Sequence, residues 1–169
     1  KFLRKKLGFD NNELILIMVA NLIPYKGHGD LINALGSISN EMTPNWRMLF
    51  IGRDDGIKSE LISETEKNKI FENCLFLHPD GDISDYYRIS DIGILTSHEE
   101  GFSISILEGM RSGIPMVVTD VGGNREAVID QQTGFVVPPY DCNAIGQAIL
   151  KLSLNKKMQN SMGRAGYER

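Results

Sequence analysis

The stretch LILIMVANLIPYKGHGDLINAL, residues 14–35, decides which fold this chain can adopt. It opens with a run of apolar residues, 14–20, in which apolar and polar positions do not alternate. A strand of that kind is covered on both faces, as in a parallel sheet flanked by helices. The following segment, 26–39, places Leu31, Ile32 and Leu35 on one face of a predicted helix. A buried strand, a glycine-containing loop and an amphipathic helix together predict the repeating unit of an α/β protein.

The same alternation continues to the end of the chain. Further strands are predicted at 46–51, 74–77, 91–95, 115–118 and 134–137, and further helices at 57–69, 83–89, 104–111, 125–129, 143–152 and 156–167. This order predicts a doubly wound, mainly parallel, Rossmann-like sheet in a single domain over residues 1–169. Because ligands bind beyond the carboxyl ends of such strands, we expect the loops that follow the strands to face one crevice.

Composition excludes several classes of function. The 169 residues are 41% hydrophobic and 24% charged, and the net charge of −4 offers no global attraction for nucleic acid. Cys74 and Cys142 form no C-x-x-C motif, which favours a reduced, cytoplasmic protein, although their pairing is left open by the sequence. The apolar run at 14–20 is too short to span a bilayer. The basic segment 1–10 is predicted to be an amphipathic helix, and both ends look cut from a larger protein.

Lys26 follows the first predicted strand, where a helix is predicted to begin. Its ammonium group and the free amides of a first helical turn can converge on one anion. A solvated lysine in a turn is the alternative interpretation. The loop is neither a G-x-x-x-x-G-K-[ST] phosphate loop nor a G-x-G-x-x-G dinucleotide motif.

The stretch HEEGFSISILEGM, residues 98–110, places Glu100 before a Gly-Phe-Ser turn and Glu108 in a helix. Ser105 and Glu108 fit a capping box, with Ser105 as N-cap. If the helix instead begins near Ser103, Glu108 lies in its second turn, where its carboxylate could accept two hydrogen bonds from a ribose diol. Both interpretations stay open at this point. Amides at the helix start would favour an anion, and Glu100 could hold sugar hydroxyls.

Two further motifs have simpler explanations. In TDVGGNREAV, Gly122 and Gly123 could form an anion-facing turn, but a helix start with Asn124 as N-cap is favoured. In DGD, residues 80–82, a metal site is rejected in favour of capping of the next helix by Asp82 or Ser84, because the histidines and cysteines show no metal-ligand spacing.

Taken together, the loops resemble the C-terminal, nucleotide-sugar-binding domain of group 1 retaining glycosyltransferases of the GT-B fold. The similarity covers nearly the whole chain, and its most specific mark is the glutamate pair in EGFSISILE, followed by GMRSGIPMVV and GGNRE. The resemblance implies an enzyme of polysaccharide biosynthesis that moves a sugar from a nucleoside-diphosphate sugar to a glycan or lipid-linked acceptor without a metal or other cofactor. It also implies a missing N-terminal acceptor domain, so that this chain would bind the donor but transfer nothing alone.

The resemblance also assigns roles to single residues. Glu108 is expected to bind ribose, Glu100 the donor sugar, and Lys26 the diphosphate, with Lys26 and Glu100 acting in catalysis. The remaining donor contacts are expected at Asn21, at Gly52 and Arg53, at Leu77 and His78, and at Gly101, Phe102, Ser103, Ile104 and Leu107.

Asn21 departs from the family, which often carries an arginine at that position, and Thr96 stands where proline is common. Two alternatives remain at this point: a non-catalytic nucleotide-binding module that regulates a partner, and a sugar-nucleotide epimerase of the same fold. We expect a cytoplasmic protein that binds no nucleic acid, with the full-length enzyme peripheral at the membrane as a further expectation.

Overall fold

The computed structural model describes residues 2–78 and 81–169, and these form a six-stranded, wholly parallel sheet flanked by helices. The strands are β1 (Leu14–Val19), β2 (Trp46–Ile51), β3 (Cys74–Leu77), β4 (Ile92–Leu95), β5 (Met116–Thr119) and β6 (Gly134–Val137). The helices are α1 (Phe2–Lys6), α2 (His28–Ile38), α3 (Lys58–Lys67), α4 (Ile83–Ile89), α5 (Ile104–Arg111), α6 (Asn124–Ala127), α7 (Cys142–Ser153) and α8 (Lys156–Glu168). Short 3-10 turns occupy Pro24–Lys26 and Phe71–Asn73. The predicted fold class is confirmed.

The sheet is covered on both faces, as its apolar strands predict. Ile15, Leu16, Ile17 and Met18 are consecutive in β1 and all are fully buried, although successive side chains of a strand point to opposite faces. On the helical layers, α2 packs against α3 and α7, whereas α5 packs against α4 and α8. Burying all of β1 stabilises the centre of the fold by about 1.5–3 kcal/mol for each large apolar side chain.

The strand order is β3-β2-β1-β4-β5-β6, so the order reverses between β1 and β4. In open parallel sheets this reversal leaves a crevice beyond the carboxyl ends of the two central strands, since their connections run to opposite sides. The loops after β1 and β4 therefore meet at the crevice. These are the loops that contain Lys26 and Glu100.

At the amino ends of the strands, one carboxylate binds residues of β1, α1 and α8. Asp91 accepts a hydrogen bond from the amide of Ile15 at 3.0 Å and forms ion pairs with Arg4 of α1 and Lys156 of α8. Arg4 also donates to the carbonyl oxygen of Ile89 at 2.7 Å. This cluster fixes α1 and α8 to the amino ends of the central strands, far from the loops that follow them.

None of the helices in the described part of the chain combines the length and the apolar character needed to cross a bilayer. The two cysteines are free thiols, Cys74 buried and Cys142 half-buried. Burial raises the pKa of the Cys74 thiol to about 12, which keeps it protonated and unreactive at neutral pH.

Candidate functional site

An ion pair joins the loops after the two central strands. The Lys26 Nζ atom lies 2.6 Å from the Glu100 Oε1 atom, and their side chains are 18% and 9% exposed. The hydroxyl of Ser97 donates to the same carboxylate oxygen at 2.7 Å. Lys26 and Glu100, which the sequence placed on one rim, are thus in direct contact at the reversal of strand order.

Lys26 is the last residue of the 3-10 turn Pro24–Lys26, and α2 begins only at His28. The prediction that a helix begins at Lys26 was wrong because Gly27 has φ 71° and cannot continue a right-handed helix. A Cβ atom on Gly27 would also lie 2.0 Å from the carbonyl oxygen of Thr96. Only glycine permits this approach of the two loops, which brings Lys26 to Glu100.

The loop that carries Glu100 rests on a second glycine turn. Gly123 donates its amide to the carbonyl oxygen of Gly101 at 2.7 Å, and Gly122 has φ 51° with no room for a side chain beneath Glu100. The ring of Phe102 covers Gly123. The turn at Gly122 and Gly123 therefore supports the Glu100 loop from below.

Asn124 does not cap α6, so that prediction was wrong. Gly123 is the N-cap, and Asn124 is the first helical residue, fully buried. Its amide group donates to the carbonyl oxygen of Thr119 at 3.0 Å, and this tertiary bond displaces the local cap. By contrast, Asp82 caps α4 as predicted, accepting from the amide of Ser84 at 2.9 Å; Asp80 lies outside the described residues.

The start of the helix after β4 excludes one of the two interpretations of Glu108. Helix α5 begins at Ile104 with Ser103 as N-cap, so Ser105 is not a cap and the capping-box interpretation was wrong. Glu108 lies in the second turn, exposed to solvent. Burial of part of its side chain and the nearby Asp82 raise the pKa of Glu108. Its carboxylate lines a groove of about 490 Å³ between α4 and α5, together with Asp82, Ser84, Arg88, Arg111 and Ser112.

The start of α5 presents backbone donors. No described residue accepts a hydrogen bond from the amides of Phe102, Ser103 or Ile104. Ser103 and Ser105 share a hydroxyl–hydroxyl hydrogen bond at 2.9 Å, so neither hydroxyl caps the helix. Free amides at a helix start favour an anion. Phe102, Ile104 and Leu107 are large apolar residues exposed on this part of the surface.

The other predicted residues lie at the ends of β1, β2 and β3. Asn21 is exposed and accepts from the amide of Arg53 at 3.3 Å. The guanidinium of Arg53 pairs with Asp55 at 2.8 Å and does not pair with Glu100 or Glu108. Gly52 donates its amide to the carbonyl oxygen of Leu77 at 3.1 Å, and His78 is exposed just beyond it. These residues lie at the rim beside β1, and none of them forms a side-chain hydrogen bond or an ion pair with Lys26.

Four side chains beside the ion pair were not predicted. His98 and Asp30 lie 2.7 Å apart, the ring of Tyr140 packs on the His98 imidazole, and Ser97 binds Glu100. Ser97 stands three residues before Glu100 in the same loop, a spacing that could have indicated its role. The Asp30–His98 pair bridges 68 residues, so only the strand order brings it together.

In the part of the chain that the structure describes, no three His, Cys, Asp or Glu side chains converge in an arrangement able to hold a metal ion. His28 is fully buried in the cavity wall beside α2, and burial lowers its pKa to about 4, with the Ala20 carbonyl opposing and Lys26 reinforcing the shift. His28 is therefore neutral at physiological pH.

Comparison with known proteins agrees with this geometry. The family model described as "Glycosyl transferases group 1" matches residues 1–169. The N-acetyl-alpha-D-glucosaminyl L-malate synthase of Bacillus anthracis is 28% identical over 167 residues, which cover 98% of this chain and 43% of that protein. The chain thus spans less than half the length of this relative.

Two solved structures have the same fold. HepE from Anabaena, in complex with UDP and glucose, superposes with a TM-score of 0.90 at 24% identity over 99% of this chain and 46% of that one. The C-terminal domain of the group 1 glycosyl transferase LpcC from Francisella tularensis superposes with a TM-score of 0.82 at 25% identity, over 91% of this chain and 83% of that one. This chain therefore belongs to the group 1 glycosyl transferases.

Proposed function

We propose that this chain is the donor-binding domain of a retaining, metal-independent glycosyltransferase that moves a sugar from a nucleoside-diphosphate sugar to a glycan or lipid-linked acceptor. The observation that carries the proposal is the contact between Lys26 and Glu100 at the reversal of strand order, beside the free amides of α5. A cation and helix-start amides suit a diphosphate, and a neighbouring carboxylate suits sugar hydroxyls. HepE, which shares this fold, binds UDP and glucose.

In the proposed reaction, the bond between the anomeric carbon and the diphosphate oxygen breaks, and its electron pair leaves with the diphosphate. A bond from the acceptor oxygen to the anomeric carbon forms, and the acceptor hydroxyl gives its proton to an oxygen of the leaving diphosphate. Negative charge therefore grows on the leaving diphosphate. Lys26 and the amides of Phe102, Ser103 and Ile104 are already fixed before reaction, so they can stabilise that charge without reorganising.

Glu100 is proposed to orient the donor sugar. Its Oε1 atom is occupied by Lys26 and Ser97, whereas its Oε2 atom accepts no hydrogen bond from a described residue. That second oxygen is free to accept from a sugar hydroxyl. Glu108 is proposed to bind the ribose, because it lines the groove between α4 and α5 and no described residue donates a hydrogen bond to its carboxylate.

Asn21, Gly52, Arg53, Leu77 and His78 are proposed to flank the nucleotide at the carboxyl ends of the neighbouring strands. Leu107, exposed one residue before Glu108, is proposed to contact the nucleotide from α5. The acceptor is proposed to bind a separate N-terminal domain of the same parent protein. The 169-residue chain is then expected to bind the donor without transferring its sugar.

Calorimetric titration of UDP, GDP, ADP and their glucose conjugates tests this proposal. Glu108→Ala should weaken nucleoside diphosphate and sugar nucleotide alike, by about tenfold or more, because hydrogen bonds to a charged acceptor contribute about 1.5–3 kcal/mol. Glu100→Ala should weaken only the sugar nucleotide. The exposed neighbour Glu99 provides the matched control, and Glu99→Ala should change neither affinity.

The outcomes separate the proposal from its alternative. If Glu100→Ala leaves sugar-nucleotide binding intact while Glu108→Ala abolishes it, the chain is a nucleotide-binding module without a donor-sugar site. Binding that disappears when EDTA is added contradicts the metal-independent proposal. Transfer of sugar by this chain alone contradicts the proposed division of labour between two domains.

A further inference from the structure

Three side chains form a cluster next to the ion pair without belonging to it. The His98 Nε2 atom lies 2.7 Å from the Asp30 Oδ2 atom. The ring of Tyr140 lies on the imidazole, with ring centroids 3.9 Å apart and planes inclined by 31°. The three residues come from different places at the carboxyl edge of the sheet: the loop after β4, the first turn of α2 and the loop after β6. The cluster therefore connects three separate segments beside the site.

Tyr140 is held in an unusual backbone conformation. Its φ of 62° is left-handed, which residues other than glycine rarely adopt. Such a conformation persists only where the surroundings determine it. The Tyr140 side chain is exposed, and the ring contact that the structure records for it is the one with His98. The left-handed backbone conformation and the stacking contact with His98 thus occur at the same residue.

His98 is attached to the loop after β1 by its backbone and to α2 by its side chain. Its amide donates to the carbonyl oxygen of Tyr25 at 2.7 Å. The hydroxyl of Thr96 donates to the carbonyl oxygen of Gly27 at 2.9 Å. Glu100 lies two residues after His98 in the loop after β4, and Tyr25 directly precedes Lys26. Each partner of the ion pair is therefore one or two residues from an anchored position.

Asp30 provides the rigid reference for this arrangement. It lies in the first turn of α2, an 11-residue helix whose apolar face is fully buried. Because the buried face of α2 anchors the helix in the core, the Asp30 carboxylate offers the His98 ring a partner on a packed element. A fixed His98 limits the positions that Glu100 can reach, since a single residue separates them.

We propose that Asp30, acting through His98, is a positioning residue that holds Glu100 in place for the donor sugar, and that Tyr140 covers and orders this pair. The inference rests on the proposed function, because the role of Glu100 toward the sugar is part of it. Neither Asp30 nor Tyr140 contacts the ion pair directly. They act by fixing the position of the Glu100 carboxylate.

The test compares the dissociation constants of UDP-glucose and UDP for the full chain. Asp30→Ala should raise the ratio of the two constants about tenfold, because misplacing one hydrogen-bond acceptor loses about that factor. His98→Phe keeps a ring beneath Tyr140 but loses the donor, and should raise the ratio similarly. His98→Gln places a side-chain amide near the position of Nε2 and should restore the ratio to within about twofold of the unsubstituted chain.

Glu60→Ala is the matched control, since Glu60 lines the same cavity as Asp30 and His98 from α3. It should leave the ratio unchanged. A loss of stability alone would weaken both ligands together and leave the ratio constant. An unchanged ratio in Asp30→Ala, with UDP-glucose still bound, overturns the positioning role while the donor site stands.

A measurement without ligand separates this inference from the proposed function. The amide of His98 should exchange with solvent about tenfold faster in Asp30→Ala, because its hydrogen bond to Tyr25 loses the support of the side-chain pair. If the unsubstituted chain binds neither UDP nor UDP-glucose, the donor proposal fails for this probe, and the exchange rate still decides whether Asp30 orders the loop that carries Glu100. An exchange rate equal to that of the unsubstituted chain overturns it.

Discussion

Replacing Gly122 with alanine should disrupt the loop that carries Glu100. At Gly122, φ is 51°, and a Cβ atom would lie 2.0 Å from the carbonyl oxygen of Glu100 and 2.8 Å from that of Gly101. Both obstructing atoms are backbone, so a side-chain rotation cannot relieve the contact. Either the turn or the Glu100 loop must move.

The expected loss of stability is the sum of two effects. A left-handed conformation costs a residue with a Cβ atom about 1–2 kcal/mol. Separating the loop from its support breaks the hydrogen bond from Gly123 to Gly101, which contributes about 0.5–1.5 kcal/mol. The free energy of unfolding should therefore fall by about 1.5–3.5 kcal/mol in all. The displaced Glu100 should also bind sugar nucleotide more weakly, with a smaller effect on nucleoside diphosphate.

Gly113→Ala is the matched control, because Gly113 also has a positive φ, 74°, but open space around the position of a Cβ atom. It should lose only the conformational contribution, about 1–2 kcal/mol. Urea unfolding of both variants gives the difference directly. If Gly122→Ala is no less stable than Gly113→Ala and binds sugar nucleotide normally, the inferred support of the Glu100 loop is wrong.

Three further outcomes are expected. Burial and the nearby Asp82 raise the pKa of Glu108, so this carboxylate should become protonated at a higher pH than an ordinary glutamate. Nucleotide affinity measured by calorimetry should therefore begin to fall at a higher pH than the ordinary glutamate pKa would give. Glu108→Gln should abolish that pH dependence. The pKa of His28 is lowered to about 4 in the folded chain, so on acidification the unfolded chain binds the proton first. The free energy of unfolding, measured in urea, should therefore fall by about 3 kcal/mol between about pH 6.5 and about pH 4. His28→Phe should not show this loss. Asp91→Ala should lower the free energy of unfolding by about 1–3 kcal/mol, since it leaves the buried amide of Ile15 without its acceptor. Arg4 and Lys156 each keep another acceptor, and Glu168→Ala on the surface should leave the urea midpoint unchanged.

The strands could be predicted from the sequence because burial on both faces leaves a continuous apolar run. The predicted strands at 46–51, 74–77 and 134–137 have the observed bounds, and the others differ by one residue at one or both ends. Helix starts were predicted less well, since they depend on single residues. Gly27 delays α2 by two residues, and the bond from Asn124 to Thr119 overrides a local capping preference.

The rim of the site was predictable, but its contacts were not. Lys26 and Glu100 follow different strands and are separated by 74 residues, so their pairing depends on β1 and β4 being neighbours. That order is a property of the whole sheet and leaves no local signal. The same holds for Asp30 and His98. The second-turn position of Glu108, in contrast, followed from where α5 begins.

The ion pair between Lys26 and Glu100 means that the two charges already cancel at the place where we propose that the diphosphate binds. An anion that binds the Lys26 ammonium group must displace the Glu100 carboxylate. Its gain in binding free energy is therefore only the difference between the two interactions with the ammonium group. Inorganic phosphate carries no sugar hydroxyls to donate hydrogen bonds to the displaced Glu100 carboxylate, so we expect it to compete poorly with a sugar nucleotide. A molecule that carries both a diphosphate and a hydroxylated ring can bind Lys26 with the first and Glu100 with the second. We therefore expect the ion pair to favour ligands that have both parts.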